Sequence, residues 1–148
     1  MTLFFPDLNV WLGLSVVAHT HGSAAWNWLG CLSASDKLVF SRYSQLGFLR
    51  LLTNQAVMGS QVLTLGEAWQ VYDRWLEDPR VGFYLEPRGV DATFRKLTRS
   101  VAPLPASKAI GDCWLLAFAA DIHATLVTFD RALYGLAKKQ GHSAVIPA

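Results

Sequence analysis

Short apolar runs too brief for helices alternate along this chain with longer segments of helical periodicity, and that alternation restricts the fold more than any other feature. Thr2–Pro6, Leu38–Phe40, Val81–Leu85, Ala124–Phe129 and Ser143–Ile146 read as strands, rich in Val, Leu, Ile and Phe without an exposed polar face. Strands buried on both faces belong to parallel sheets covered by helices on either side. The expectation is therefore an α/β fold: a three-layer sandwich with a central, mostly parallel sheet of four to five strands, joined by right-handed crossovers.

Between these runs, Leu8–Val17 and His21–Ser33 have helical character, and Ser41 can cap a helix carrying Leu46, Leu49, Leu51 and Leu52. The segment from Asn54 to Leu63 reads as a loop. Thr64 with Glu67 three residues later forms a capping-box pattern, opening a helix that runs to Asp78-Pro79. Helices are also expected over Gly89–Val101, Gly111–Ile122 and Arg131–Lys139. The long helical stretch between the second and third strands suggests a side excursion.

A length of 148 residues, 52% of them hydrophobic, suits a single domain over residues 1–148, and 16% charged residues argue against disorder. The formal charge of +2 neither requires nor excludes a nucleic-acid partner. Cys31 and Cys113 lack metal-type spacing with the four histidines and read as two buried thiols of a reducing compartment. No basic leader and no apolar span of about 20 residues is present, so the expectation is a cytoplasmic protein without a membrane anchor.

Chemistry points to three acids. Asp7 closes the first strand, Asp130 closes the fourth, and Asp112 lies near the opening of an apolar helix. Parallel sheets place ligands beyond the carboxyl ends of their strands, so these distant residues can converge. At a separation of ~5 Å and an effective dielectric of ~20, each carboxylate pair repels by roughly 3 kcal/mol, which favours Mg²⁺ or Mn²⁺ between them. Taken singly, each acid can equally cap a helix or complement its dipole.

The words around these acids resemble the PIN-domain ribonucleases, specifically the VapC-like toxins of bacterial toxin–antitoxin pairs. The resemblance is carried by Pro6-Asp7-Leu-Asn9-Val-Trp11-Leu12, by Arg42-Tyr-Ser-Gln45-Leu-Gly-Phe-Leu-Arg50-Leu-Leu-Thr-Asn54, by Gly111-Asp112-Cys-Trp-Leu-Leu-Ala-Phe118 and by Thr125-Leu-Val-Thr-Phe-Asp130-Arg131. It implies that Asp7, Asp112 and Asp130 hold one or two divalent ions for attack of water on an RNA phosphodiester. It also implies a VapB-like antitoxin and a homodimer. Many members carry a fourth acid on the helix after the second strand, where Gln45 stands here. Gln45 is then expected to act on a metal-bound water, or to mark a catalytically weak or inactive relative that binds RNA or a partner without cutting it.

Asn9 and Thr128 lie two residues from Asp7 and Asp130 and are candidates to orient the acids, with turn or cap roles equally open. Arg42, Arg50, Lys108 and Arg131 are candidates to grip phosphate, since bare carboxylates repel RNA. Trp11, Trp26, Trp28 and Trp114 can stack on unpaired bases or simply pack. A receiver-like phosphoacceptor domain is disfavoured because residues 143–148 contain no lysine, and no P-loop, dinucleotide-binding turn or serine-hydrolase elbow is present.

Overall fold

A computed structural model describes residues 1–148. Its five strands, β1 (Leu3–Pro6), β2 (Lys37–Phe40), β3 (Val81–Phe83), β4 (Thr125–Val127) and β5 (Ala144–Val145), form one sheet in the order β3-β2-β1-β4-β5. Every pairing is parallel. The helices are α1 (Leu8–Ser15), α2 (Gly22–Gly30), α3 (Arg42–Leu52), α4 (Gln55–Met58), α5 (Leu65–Glu77), α6 (Val90–Thr98), α7 (Ser107–Asp121) and α8 (Arg131–Lys139).

Strand alternation sorts side chains into two cores. Phe5, Val39 and Leu126 point into a core completed by α6, α7 and α8, whereas Leu38, Phe40 and Val127 point into one completed by α1, α2, α3 and α5. The two apolar faces of the sheet are thus both covered, as the near-continuous hydrophobicity of the strands requires. At the centre of the second core Trp11 is fully buried and stacks on Phe40, with ring centroids 4.0 Å apart.

Local chemistry fixes several boundaries. Ser41 accepts from the Ser44 N–H at 3.1 Å while the Ser41 N–H donates to Ser44 Oγ at 2.8 Å, a reciprocal box that starts α3 directly beyond β2. Thr64 and Glu67 form the same arrangement at α5, as their spacing predicts. Asp130 caps α8 by accepting from Ala132 and Leu133.

Three expectations require correction. Residues 54–63 are not a plain loop: Asn54 accepts from the N–H groups of Ala56 and Val57 and winds the next residues into α4, followed by a 3₁₀ turn over Gly59–Gln61. The Gly111–Ile122 helix begins earlier, at Ser107, because Ala106 precedes it without a side-chain cap and leaves no boundary signal. Asp112 consequently lies inside α7 rather than at its opening. Cys31 is exposed, not buried, because it follows the last turn of α2 where the chain leaves the core; Cys113 is buried. No helix is long and apolar enough to cross a membrane.

Candidate active site at the switch point of the sheet

The chain builds the sheet outward from β1 to β2 and β3, then returns to place β4 and β5 on the other side of β1. The strand order therefore reverses between β1 and β4, and a crevice opens there beyond the carboxyl ends of the strands. Pro6 pairs with Val127, and the Asp7 N–H donates to the Val127 carbonyl at 2.8 Å. That register sets Asp7 and Thr128 side by side at the mouth.

Asp7 is half-buried and caps α1: its Oδ1 accepts from the Leu8 N–H at 2.7 Å, and its Oδ2 accepts from Thr128 Oγ1 at 2.8 Å. The same Thr128 oxygen accepts from the Asp130 N–H at 3.0 Å, so a fully buried hydroxyl ties the two strand-end acids together. Asp112 enters from α7. Burial raises the Asp7 carboxyl above the ordinary range, opposed by its two hydrogen bonds and reinforced by the charge of Asp130. Asp112 is raised as well, by burial first and then by the charges of Asp130 and Asp7. Asp7 and Asp112 thus both sense the charge of Asp130.

As the side chains stand, no three His, Cys, Asp or Glu residues are gathered closely enough to share one ion. Uncompensated carboxylates repel, and Asp7 satisfies both its oxygens with protein donors instead. The donor set itself is all oxygen, the type that Mg²⁺ and Mn²⁺ prefer together with retained waters. By donor type these residues suit a hard divalent ion, but as placed they are not gathered into one coordination sphere.

Gln45 does not face the acids. It is buried on the opposite side of α3, where it accepts from Arg42 Nη1. The reason is helical phase: at ~100° per residue, Gln45 lies ~200° from Tyr43, and it is Tyr43 that faces the mouth. As placed, Gln45 engages Arg42 rather than any of the three acids. Gln45→Glu should leave cleavage within about twofold of the original and lower stability, because the new carboxylate enters a buried setting. Paired activity and thermal-unfolding measurements check this, and a gain in cleavage would contradict it.

Of the two roles open to Asn9, the structure shows the local backbone one. Its Oδ1 accepts from the Phe129 N–H at 3.3 Å and ties α1 to the segment beyond β4, rather than orienting a carboxylate. Arg42 turns away, with its guanidinium 4.7 Å above the Phe83 ring at the far strand. Arg50, Lys108 and Arg131 are exposed. Arg50 lines a cleft of about 300 Å³ with Leu8, Tyr43, Leu46, Gly47 and Leu51, next to Asp7. Arg131 adjoins Asp130, and Lys108 lies one helical turn before Asp112. His21 stacks on Phe129 at 4.1 Å, and its backbone N–H donates to His19 Nδ1.

The sequence reading did not place Tyr43 in the crevice. Burial raises its hydroxyl pKa, with smaller contributions from the charges of Asp7 and Asp112. The signal was present in the spacing: Tyr43 is two residues beyond the Ser41 cap, in the first turn of a helix that starts at a strand end.

No family model matches the chain. Ribonuclease VapC41 of Mycobacterium tuberculosis is 39% identical over 130 residues, spanning 85% of this chain and 88% of that protein. This chain belongs to the VapC ribonuclease family. Solved VapC structures share the fold at lower identity. The VapBC2 complex from Rickettsia felis, bound to a DNA fragment from its promoter, superposes with a TM-score of 0.72 at 13% identity, covering 99% of this chain and 100% of that one. VapC20 of M. tuberculosis, a Sarcin-Ricin loop cleaving toxin, gives a TM-score of 0.64 at 13% identity over 89% and 93% of the two chains. Membership makes the PIN-type arrangement of a central parallel sheet between helical layers a family property.

Proposed function

We propose that this VapC-family chain is a metal-dependent endoribonuclease, the toxin of a toxin–antitoxin pair, whose site is Asp7, Asp112 and Asp130 at the junction of β1, β4 and α7. What supports the reading is membership of the VapC ribonuclease family together with geometry: the Thr128 hydroxyl donates to Asp7 and accepts from the Asp130 N–H at neighbouring strand ends, and burial, with the charge of Asp130 added, raises Asp7 and Asp112. Such an arrangement costs stability unless a cation is held there.

When bound, Mg²⁺ or Mn²⁺ would lower the pKa of a coordinated water and neutralise charge building on the scissile phosphate. The chain's own residues do the rest. Thr128 holds Asp7 and the backbone of Asp130 in fixed relation through its single hydroxyl. Arg50, Arg131 and Lys108 offer positive charge around an acidic mouth that would otherwise repel RNA. Hydrolysis by this route leaves 5′-phosphate and 3′-hydroxyl ends.

The partner reading follows from the family: a VapB-like antitoxin and a homodimer. Exposed Trp26, Leu65, Trp69 and Leu76 on α2 and α5 supply apolar surface for one or other of these contacts. An inactive RNA- or partner-binding role rested on Gln45 occupying an acid's place, and Gln45 lies on the other face of α3.

The test is cleavage of a panel of RNAs by purified protein with Mg²⁺, with Mn²⁺ and with EDTA. The expected result is metal-dependent cutting that Asp7→Asn removes and His142→Ala retains. Intact RNA under all conditions, with no shift of thermal stability on adding metal, would refute the reading.

A further inference from the structure

Beside the acids, Tyr43 forms the outer end of a continuous series of aromatic rings. Its ring centroid lies 5.1 Å from that of Trp114, inclined at 31°, and Trp114 stacks on Phe118 at 5.2 Å. Phe118 in turn meets Phe5 of β1 at 4.7 Å, and both are fully buried. Trp114 is further fixed by its Nε1–H, which donates to Glu86 at 3.2 Å. The series is therefore anchored in the core at one end and 42% exposed at the other, at Tyr43.

Packing also holds Tyr43 at the mouth. A Cβ at Gly111 would come within 2.9 Å of the Tyr43 hydroxyl, so the residue next to Asp112 has no side chain where Tyr43 reaches across from α3 to α7. On its other side Tyr43 opens into the cleft that Leu8, Gly47 and Leu51 line and Arg50 closes. An exposed ring so placed contributes little to the core, and no hydrogen-bond partner in the chain engages its hydroxyl.

We propose that Tyr43, backed by Trp114, is a substrate-positioning residue on which an unpaired base adjoining the scissile phosphate stacks. The inference rests on the ribonuclease reading above and adds what that reading lacks. Carboxylates repel the RNA backbone, so affinity close to them must come from contacts without negative charge, and every base offers a π face. A ring already fixed by Trp114 loses little freedom when a base settles on it. Arg50, seven residues along the same face of α3, would meet the next phosphate.

Single-stranded oligoribonucleotides carrying 2-aminopurine test this directly, with base stacking read as fluorescence quenching in EDTA, where cleavage is absent. Quenching is expected with the unaltered chain and with Tyr43→Phe, and its loss is expected with Tyr43→Leu. With metal restored, Tyr43→Leu should raise KM about tenfold while kcat changes far less, in line with the ~1–3 kcal/mol that a stacked base contributes. Gly111→Ala, which displaces the hydroxyl, should raise KM in the same direction. Quenching and KM unchanged in Tyr43→Leu would overturn the proposal and leave metal-dependent cleavage by the unaltered chain untouched. Quenching by a chain that cuts no RNA would keep the stacking role and remove the nuclease.

Discussion

Asp112→Asn should remove RNA cleavage and at the same time stabilise the metal-free protein. Asp112 accepts no hydrogen bond within the chain, is half-buried, and is raised by burial and by the charges of Asp130 and Asp7. The neutral amide keeps the shape and eliminates the buried charge. Activity should fall by more than ~10²-fold, beyond the ~10–100-fold typical of losing a residue that only orients a metal ligand. The melting temperature without metal should rise, and added Mn²⁺ should stabilise the variant less than the original.

The same shifts set the pH dependence. Asp7 and Asp112 both titrate above their ordinary value of 3.8 in the folded chain. Between that value and the raised one, the folded state binds more protons than the unfolded state, so stability contributed by these groups falls as pH rises through the window. Below it the penalty disappears. Thermal unfolding in EDTA across mildly acidic pH should show this slope in the original, a weaker one in Asp112→Asn, and a smaller slope again once metal is added at higher pH.

The second large effect lies in the core. Trp11→Ala should cost ~3–5 kcal/mol in urea unfolding, against a total stability of ~5–15 kcal/mol for typical domains. Trp11 is completely buried, stacked on Phe40 and edge-on to Trp75 at 5.4 Å, so its loss opens a cavity under α1 directly behind Asp7. Its indole Nε1 is buried without a partner. Trp11→Phe should therefore cost much less than the lost volume suggests, because removing an unsatisfied donor returns ~1–3 kcal/mol. A loss in Trp11→Phe as large as in Trp11→Ala would show that the indole N–H is satisfied in solution.

Strands and caps were the most legible parts of the chain, because each is encoded within a few residues. The α8 boundaries, Arg131 to Lys139, coincide with the periodic segment that Asp130 caps, and the Thr64–Glu67 box starts α5 where its spacing predicts. The start of α7 was hidden because Ala106 offers no capping side chain, and α4 because four residues are too few to show periodicity. At the crevice, Asp7 and Asp130 follow from strand ends alone. The expectation for Gln45 comes from the family resemblance alone, which carries no helical phase, and Tyr43 is not legible because its partners Gly111 and Trp114 lie far along the chain, in the opposite helical layer.

The central claim is that Asp7, Asp112 and Asp130 act as one divalent-ion site. Anomalous scattering from a crystal grown with Mn²⁺ tests it most directly. The account predicts a peak in the crevice between β1, β4 and α7, with oxygens of these aspartates turned towards it at ~2.0–2.2 Å or through a single water. RNA cleavage by a protein whose crystals show no Mn²⁺ there, or bind it only elsewhere, would contradict it.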